Sequence, residues 1–352
     1  MGAEVVIAGA GVTGASVAYH LATRGCRDIL VIDRGAAPGE GSTSKATGGF
    51  RAQFGSAINV RLSLLSRQKL LRFEEEIGAD SGYRQCGYLF LARSTDALET
   101  LRDAQTIQHA CGLHEARTLD ADEARALNPA IVDDALAGAA WCPSDGFLRP
   151  MNILNGYVAA AKRLGVRFEF GVDIHETSVD GDIFVNAMGA WAGAPVTQLR
   201  RRVAATIPTT LLAEEMPMTI WCDDGFHLRV RDGQVLLLWP DDPPVDDDEW
   251  LERIRAFTAE RVPSIASLPI ERTWSGLYEM SPDRHAILGR VPGRENHYIA
   301  SGSSGHGVMH APAIGQLLAE IIIDGHASTI DVEELRPSRF EEGRLIEGSS
   351  LL

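Results

Sequence analysis

The sequence predicts an α/β protein, α+β overall, in which a parallel dinucleotide-binding unit is interleaved with a mostly antiparallel sheet. Three observations predict it. A glycine fingerprint, Gly9-Ala10-Gly11-Val12-Thr13-Gly14, stands between a short apolar run and a run with helical spacing. The middle of the chain, 203–239, breaks into short β-like runs separated by turn pairs such as Asp224-Gly225 and Asp232-Gly233. A long apolar helix pattern at 307–324 then restores the α/β texture, so both ends of the chain are expected to build the first unit.

The first strand, expected at 4–8, feeds the fingerprint directly. Gly9 suits the tight turn, Gly11 lets the backbone approach a pyrophosphate, and Gly14 lets helix pack on strand. Val12 and Thr13 open a helix whose free N–H groups and positive dipole end favour phosphate. Asp33 closes the second apolar run, where a carboxylate can accept from ribose hydroxyls, and Arg34 follows it. A loop of small residues occupies 35–49, then a long helix pattern 57–77, a strand 87–92 and a helix 95–111. Asp120-Ala121-Asp122-Glu123 predicts a capping box opening a short helix that Asn128-Pro129 ends. Pro150 precedes a helix at 151–164, with strands at 166–170 and 182–187, and helical spacing returns at 248–261. The expected units are 1–80, 150–195 and 283–340 for the dinucleotide part, 81–149 and 196–282 for the β-rich part, and 341–352 as a C-terminal tail.

The chain has 352 residues, 45% hydrophobic and 23% charged, enough for one large or two ordinary domains. A net charge of −15 argues against nucleic acid and anionic membrane as partners. No stretch reaches the ~18 apolar residues of a membrane span. With the first strand placed so close to residue 1, no signal peptide is expected. The five cysteines are odd in number and lack CxxC spacing, which reads as reduced, mostly buried thiols of a cytoplasmic protein. The acidic run 241–249 holds two prolines and reads as a solvated loop leading into a helix.

Further motifs follow the fingerprint in order. They are Gly41-Ser42-Thr43-Ser44-Lys45-Ala46-Thr47-Gly48-Gly49, Val185-Asn186-Ala187-Met188-Gly189-Ala190-Trp191, Gly276-Leu277-Tyr278-Glu279-Met280-Ser281-Pro282-Asp283, and Gly302-Ser303-Ser304-Gly305-His306-Gly307-Val308-Met309. Together, over nearly the whole chain, they resemble the FAD-dependent amine and amino-acid oxidoreductases, the family of sarcosine oxidase, glycine oxidase, D-amino-acid oxidase and dimethylglycine dehydrogenase. The sarcosine oxidase β-subunit-like members are the nearest in texture. The resemblance implies a Rossmann-like FAD-binding domain and FAD rather than NAD, because a second Gly-rich turn late in the chain meets the far end of an extended flavin. It adds Val172 to the cofactor residues, at the adenine end. Lys45 stands where dimethylglycine dehydrogenase-like members carry a flavin-linking His, Gly276 stands where monomeric sarcosine oxidase carries a flavin-linking Cys, and no cysteine follows Cys222. FAD is therefore expected to be non-covalent.

The same resemblance implies oxidation of an amino acid or N-methyl amino acid (sarcosine, proline, glycine or D-amino-acid type) to the imine, by hydride transfer to flavin N5. The electrons then pass to oxygen or to a protein or quinone acceptor. Arg51 matches a carboxylate-binding arginine of sarcosine oxidase; the alternative is a surface or phosphate-facing arginine. Tyr278 matches an active-site tyrosine; the alternative is a buried sheet tyrosine. His306 is expected against the flavin and His310 in packing, with no metal site, since no third ligand suggests itself. His227 and Trp239 are further candidates for the pocket. Met309 and the stretch 236–238 stand where monomeric sarcosine oxidase keeps two functional lysines, which favours a dehydrogenase or slow oxidase. The short interval from Val172 to Ile183 implies a trimmed hairpin, and with it either a working member of reduced size or a weakened FAD site. The alternatives are a catalytic subunit coupled to a partner within a homo- or hetero-oligomer, a degenerate FAD-binding protein without turnover, and an NAD-only dehydrogenase.

Overall fold

The computed structural model describes residues 2–174 and 180–347. Most of the interval after Val172, and the last five positions of the expected tail, lie outside the described residues. The chain opens with β1 (Gly2–Ala8), α1 (Val12–Thr23) and β2 (Ile29–Asp33). Next come β3 (Gly49–Phe50), α2 (Ala57–Leu71), α3 (Phe73–Ile77), β4 (Tyr88–Ala92) and α4 (Thr95–Ala110). They are followed by β5 (Arg117–Leu119), α5 (Ala121–Leu127), β6 (Gly138–Cys142), β7 (Gly146–Phe147) and α6 (Pro150–Arg163). Then β8 (Arg167–Phe170), β9 (Asp180–Asn186), β10 (Thr197–Thr206), β11 (Met218–Trp221), β12 (His227–Arg231) and β13 (Gln234–Leu238) lead to α7 (Asp247–Arg261). β14 (Ile270–Met280), β15 (Ile287–Arg290), β16 (His297–Ser301) and α8 (Gly307–Asp324) close the series.

One sheet has the order β15-β16-β9-β1-β2-β8. It is parallel except for the β15–β16 hairpin. Parallel strands need covered faces, and α1 and α8 supply one cover: Val17, Leu21, Ile314 and Leu317 pack with Val5, Ile7 and Val31 in one core. The two helices cross closely because Gly315 has no side chain, and a Cβ there would collide with the Ser16 hydroxyl. The second sheet has the order β14-β10-β13-β12-β11-β4-β6-β5. It is antiparallel apart from one parallel pair, β4 with β11. Its face buries Leu89, Trp221, Leu237 and the α7 residues Trp250 and Ile254.

The capping box forms: Asp120 accepts from the Asp122 and Glu123 N–H groups, and Glu123 reaches back to the Asp120 N–H. α8 runs over the expected residues despite Pro312 within it. Four expectations are corrected. The 57–77 helix breaks at Arg72 (φ −104°, ψ 10°), which turns Phe73 inward onto the Tyr157 ring. The sheet expected from Val203 starts at Thr197, because β10 pairs with β14 along nearly its whole length. The acidic run is not all solvated: Asp241 is buried in an ion pair with Arg202. All five cysteines are free, but only Cys142 is buried and the others are partly exposed. Among the described residues, no helix is long and apolar enough to cross a membrane.

Candidate active site

A cleft of about 1010 Å³ draws its walls from both sheets and from the starts of α1 and α8. At one end the fingerprint takes a shape that only glycine allows. Gly9 has φ +110°, and a Cβ there would collide with the Ala187 carbonyl. A Cβ on Gly14 would collide with the Gly9 carbonyl oxygen, so Gly14 serves helix–strand contact and lies behind the cleft wall. Gly11, Val12 and Thr13 reach the cleft. No side chain caps α1 at Gly11, and the Val12 N–H donates to Thr43 Oγ1 at 3.2 Å. Asp33 accepts from the Ala10 N–H (2.7 Å) and the Gly35 N–H (2.8 Å), fixing the turn while each oxygen keeps another lone pair. Arg34 lies 4.2 Å over the Trp191 ring, and the Val172 N–H donates to the Asp33 carbonyl at 3.0 Å. Ala187 and Gly189 complete this end.

The loop after β2 is held from the other sheet. Ser42 Oγ donates to the Leu277 carbonyl at 2.6 Å, and Trp274 Nε1 donates to the Lys45 carbonyl at 3.0 Å. Arg229 Nη1 donates to the carbonyls of Thr47 (2.9 Å) and Gly48 (3.1 Å). Gly48 has φ +79°, and a Cβ on Gly49 would collide with the Tyr88 hydroxyl. Lys45 is exposed and stands opposite Gly276. Ser44 lies off the cleft, its hydroxyl 3.4 Å from the Gly41 carbonyl.

At the far end, Ser304, Gly305, His306, Gly307, Val308 and Met309 wall the cleft where α8 begins, again without a side-chain cap. Gly305 has φ +95° with the Tyr278 ring against it. Gly302 is structural, packed on Ile287 and Ser281 outside the cleft.

Arg51 is buried, not on the surface: Nη1 donates to the Gln53 carbonyl at 3.0 Å, and the guanidinium lies 4.1 Å over the Phe54 ring. Burial pulls its pKa down, and Tyr88 and Asp145 oppose that. Tyr278 is 38% exposed because it faces the open cleft. The protein around it raises its phenol pKa, while Arg201 and Arg51 pull it down. His227 also lines the cleft; burial lowers it to about 4, and its Nδ1 meets the Gly225 carbonyl at 2.8 Å. Trp239, Leu238 and Met309 share this region. His310 packs away from it, 2.8 Å from Ser63 Oγ, and no metal-binding group occurs among the described residues.

Of the cleft residues that escaped the sequence reading, three charged ones stand out. Glu40 accepts from the Ala36 N–H at 2.9 Å. Glu279, its pKa raised by burial, accepts from Ser301 Oγ at 3.0 Å and the Ser303 N–H at 3.2 Å. Arg201 on β10 is the third, and strand alternation within Arg200-Arg201-Arg202 was the available signal.

A cleft walled by two uncapped helix starts, an acidic strand end and turns whose backbone only glycine can adopt fits FAD. The comparisons agree. A family profile described as FAD dependent oxidoreductase (DAO) matches residues 4–321. FAD-dependent oxidoreductase domain-containing protein 1 of Xenopus laevis is 26% identical over 413 residues, covering 96% of this chain and 82% of that protein. Mitochondrial dimethylglycine dehydrogenase of Rattus norvegicus is 27% identical over 393 residues, covering 96% of this chain but only 45% of the relative. Among solved structures, L-proline dehydrogenase from P. horikoshii is similar with a TM-score of 0.89 at 27% identity, covering 98% of this chain and 99% of that one. This chain belongs to the DAO family of FAD-dependent oxidoreductases.

Proposed function

We propose that the protein oxidises the CH–NH bond of an amino acid or N-methyl amino acid to the imine, using non-covalent FAD. Arg51 carries the reading: a buried guanidinium opening on the cleft beside the α8 start, with the fork geometry that a substrate carboxylate matches. When bound, FAD supplies the two-electron acceptor. Gly9, Gly11, Val12 and Thr13 hold its phosphates, Asp33 the ribose, and Arg34, Val172 and Trp191 the adenine side. Ser42 to Gly49 and Gly305 to Met309 hold the ring end.

Arg51 then fixes the substrate carboxylate, and with it the Cα–H. Tyr278 closes the cleft over the substrate. His306 positions Arg51 through a contact at 3.3 Å. His227, lowered to about 4, stays neutral at pH 7 and adds no charge against the amine. Leu238 and Met309 give this region an apolar wall, so we read a dehydrogenase passing electrons to a protein or quinone rather than a fast oxidase. The ranges 1–80, 150–195 and 283–340 are proposed as the FAD-binding domain, with 81–149 and 196–282 as the substrate domain. The five free cysteines support a cytoplasmic protein.

The test is an absorption spectrum, acid precipitation, and anaerobic mixing with sarcosine, L-proline, glycine and D-alanine. The expected result is yellow protein that releases all its flavin into the acid supernatant and is bleached by at least one of the four. Colourless protein that cannot be reconstituted with FAD overturns the proposal. Yellow protein bleached by none returns it to a flavin-binding protein without turnover.

A further inference from the structure

Three consecutive arginines, Arg200, Arg201 and Arg202, lie on β10, and alternation sends the middle one to the opposite face. The outer two are committed. Arg200 Nη1 is 3.1 Å from Asp247, and Arg202 pairs with buried Asp241 and, at 2.7 Å, with Asp247. Arg202 also borders the cleft, with its guanidinium already held by those carboxylates. Arg201 lines the cleft with Leu199 and Val203, in register with Gly276, beside which Lys45 packs. Its Nη1 is buried with no hydrogen-bond partner, and among the described residues it forms no ion pair. A buried charged donor without an acceptor is costly, and one facing a cleft is explained when a ligand brings the acceptor.

Arg201 and Arg51 come from different elements, yet both line the same cleft together with Tyr278 and His227. They therefore flank one stretch of cleft. A substrate with a single carboxylate satisfies one guanidinium and leaves the other. We propose that Arg201 is a specificity residue that binds a second acidic group, so the preferred substrate is a dicarboxylic amino acid or N-alkyl amino acid with one carboxylate on Arg51 and the other on Arg201. This rests on the amino-acid oxidation reading above, and it deepens that reading by adding a charge requirement.

The experiment compares the flavin-loaded protein with its Arg201→Leu and Arg201→Lys variants. Acetate and succinate, which the reaction does not consume, are titrated against the flavin absorption band and the melting temperature. Sarcosine and N-methylaspartate are then compared as anaerobic reductants. Wild type is expected to bind succinate at least about 10-fold more tightly than acetate, the scale of one charge-assisted bidentate contact. Arg201→Leu should abolish that preference and leave acetate binding within about twofold, while Arg201→Lys restores part of it. Equal affinity for the two anions overturns the proposal. So does an equal loss of both in Arg201→Leu, which makes Arg201 a partner of the common carboxylate. Loss of flavin from both variants overturns it too, by assigning Arg201 to the cofactor. Bleaching by sarcosine without any succinate preference removes the inference alone; a succinate preference with no bleaching by either amine removes the oxidation reading alone.

Discussion

Arg51 Nη2 stands 3.3 Å from His306 Nε2. A guanidinium has only donors, so the imidazole nitrogen must accept, which puts the His306 proton on Nδ1 and leaves the ring neutral. The contact joins the segment after β3 to the turn that opens α8, and it fixes the direction of the guanidinium. The Phe54 ring completes the support, 4.8 Å edge-on from His306 and 4.1 Å beneath Arg51.

Arg51→Lys keeps a charge but loses the fork. We expect kcat/KM for a carboxylate-bearing amine to fall roughly 10- to 100-fold, the scale of one charged hydrogen bond, with flavin content unchanged. Steady-state kinetics beside the absorption spectrum decides it, and unaltered kcat/KM would remove Arg51 from substrate binding.

Gly14 and Gly25 both resist replacement, for different reasons. A Cβ on Gly14 would collide with the Gly9 carbonyl, whereas Gly25 (φ +104°) has open space around it. Gly14→Ala should therefore shed flavin and lower the melting temperature. Gly25→Ala should cost only backbone strain, about 1–2 kcal/mol, and keep its flavin. The flavin-to-protein absorbance ratio separates the two.

Several histidines held below their ordinary pKa, among them His20, His227 and His310, make the fold acid-labile. Burial lowers His20 and His310 to about 3 and His227 to about 4, all below the ordinary 6.5. The unfolded chain then binds more protons between pH 6.5 and those values, so stability must fall as pH drops through that window. Asp145 works in the opposite sense. Raised by burial to about 6, it favours the fold fully below pH 3.8 and loses that contribution as pH rises to 6. Urea unfolding at intervals from pH 7 to pH 4 should show a net decline, and His310→Gln should flatten it. A flat profile in the wild type would contradict the assignment.

Arg339 and Asp283 form a fully buried pair, with Arg339 Nε 2.8 Å from one carboxylate oxygen and Nη2 2.9 Å from the other. Removing one partner strands a buried charge, so Arg339→Met should destabilise by about 3–5 kcal/mol. Adding Asp283→Asn should recover part of this in denaturant titrations. Additive losses would mean that the pair is not coupled.

What the sequence made legible was local. The Gly9–Gly14 turn, the Asp120 capping box and the span of α8 each depend on residues near one another in the chain, and the spacing alone encodes them. Arg201, Glu279 and the Arg202–Asp241 pair depend on which strand lies beside which. Nothing within 241–249 announces that Asp241 will meet an arginine on β10, so the run read as solvent-facing. The break at Arg72 belongs with these: the pattern continues to Ile77, and only the buried Tyr157 ring gives Phe73 a reason to turn inward.

Arg229, Arg231 and Trp274 reach from the antiparallel sheet to the carbonyls of Ala46, Thr47, Gly48 and Lys45, while Ser42 reaches back to Leu277. The antiparallel sheet is thus stitched to the segment that follows β2 and is proposed to hold the flavin. Melting of the antiparallel sheet therefore breaks bonds that hold the segment leading out of β2. Heating should give a single cooperative transition, and saturating FAD should displace the whole of it upward rather than splitting off a flavin-independent part.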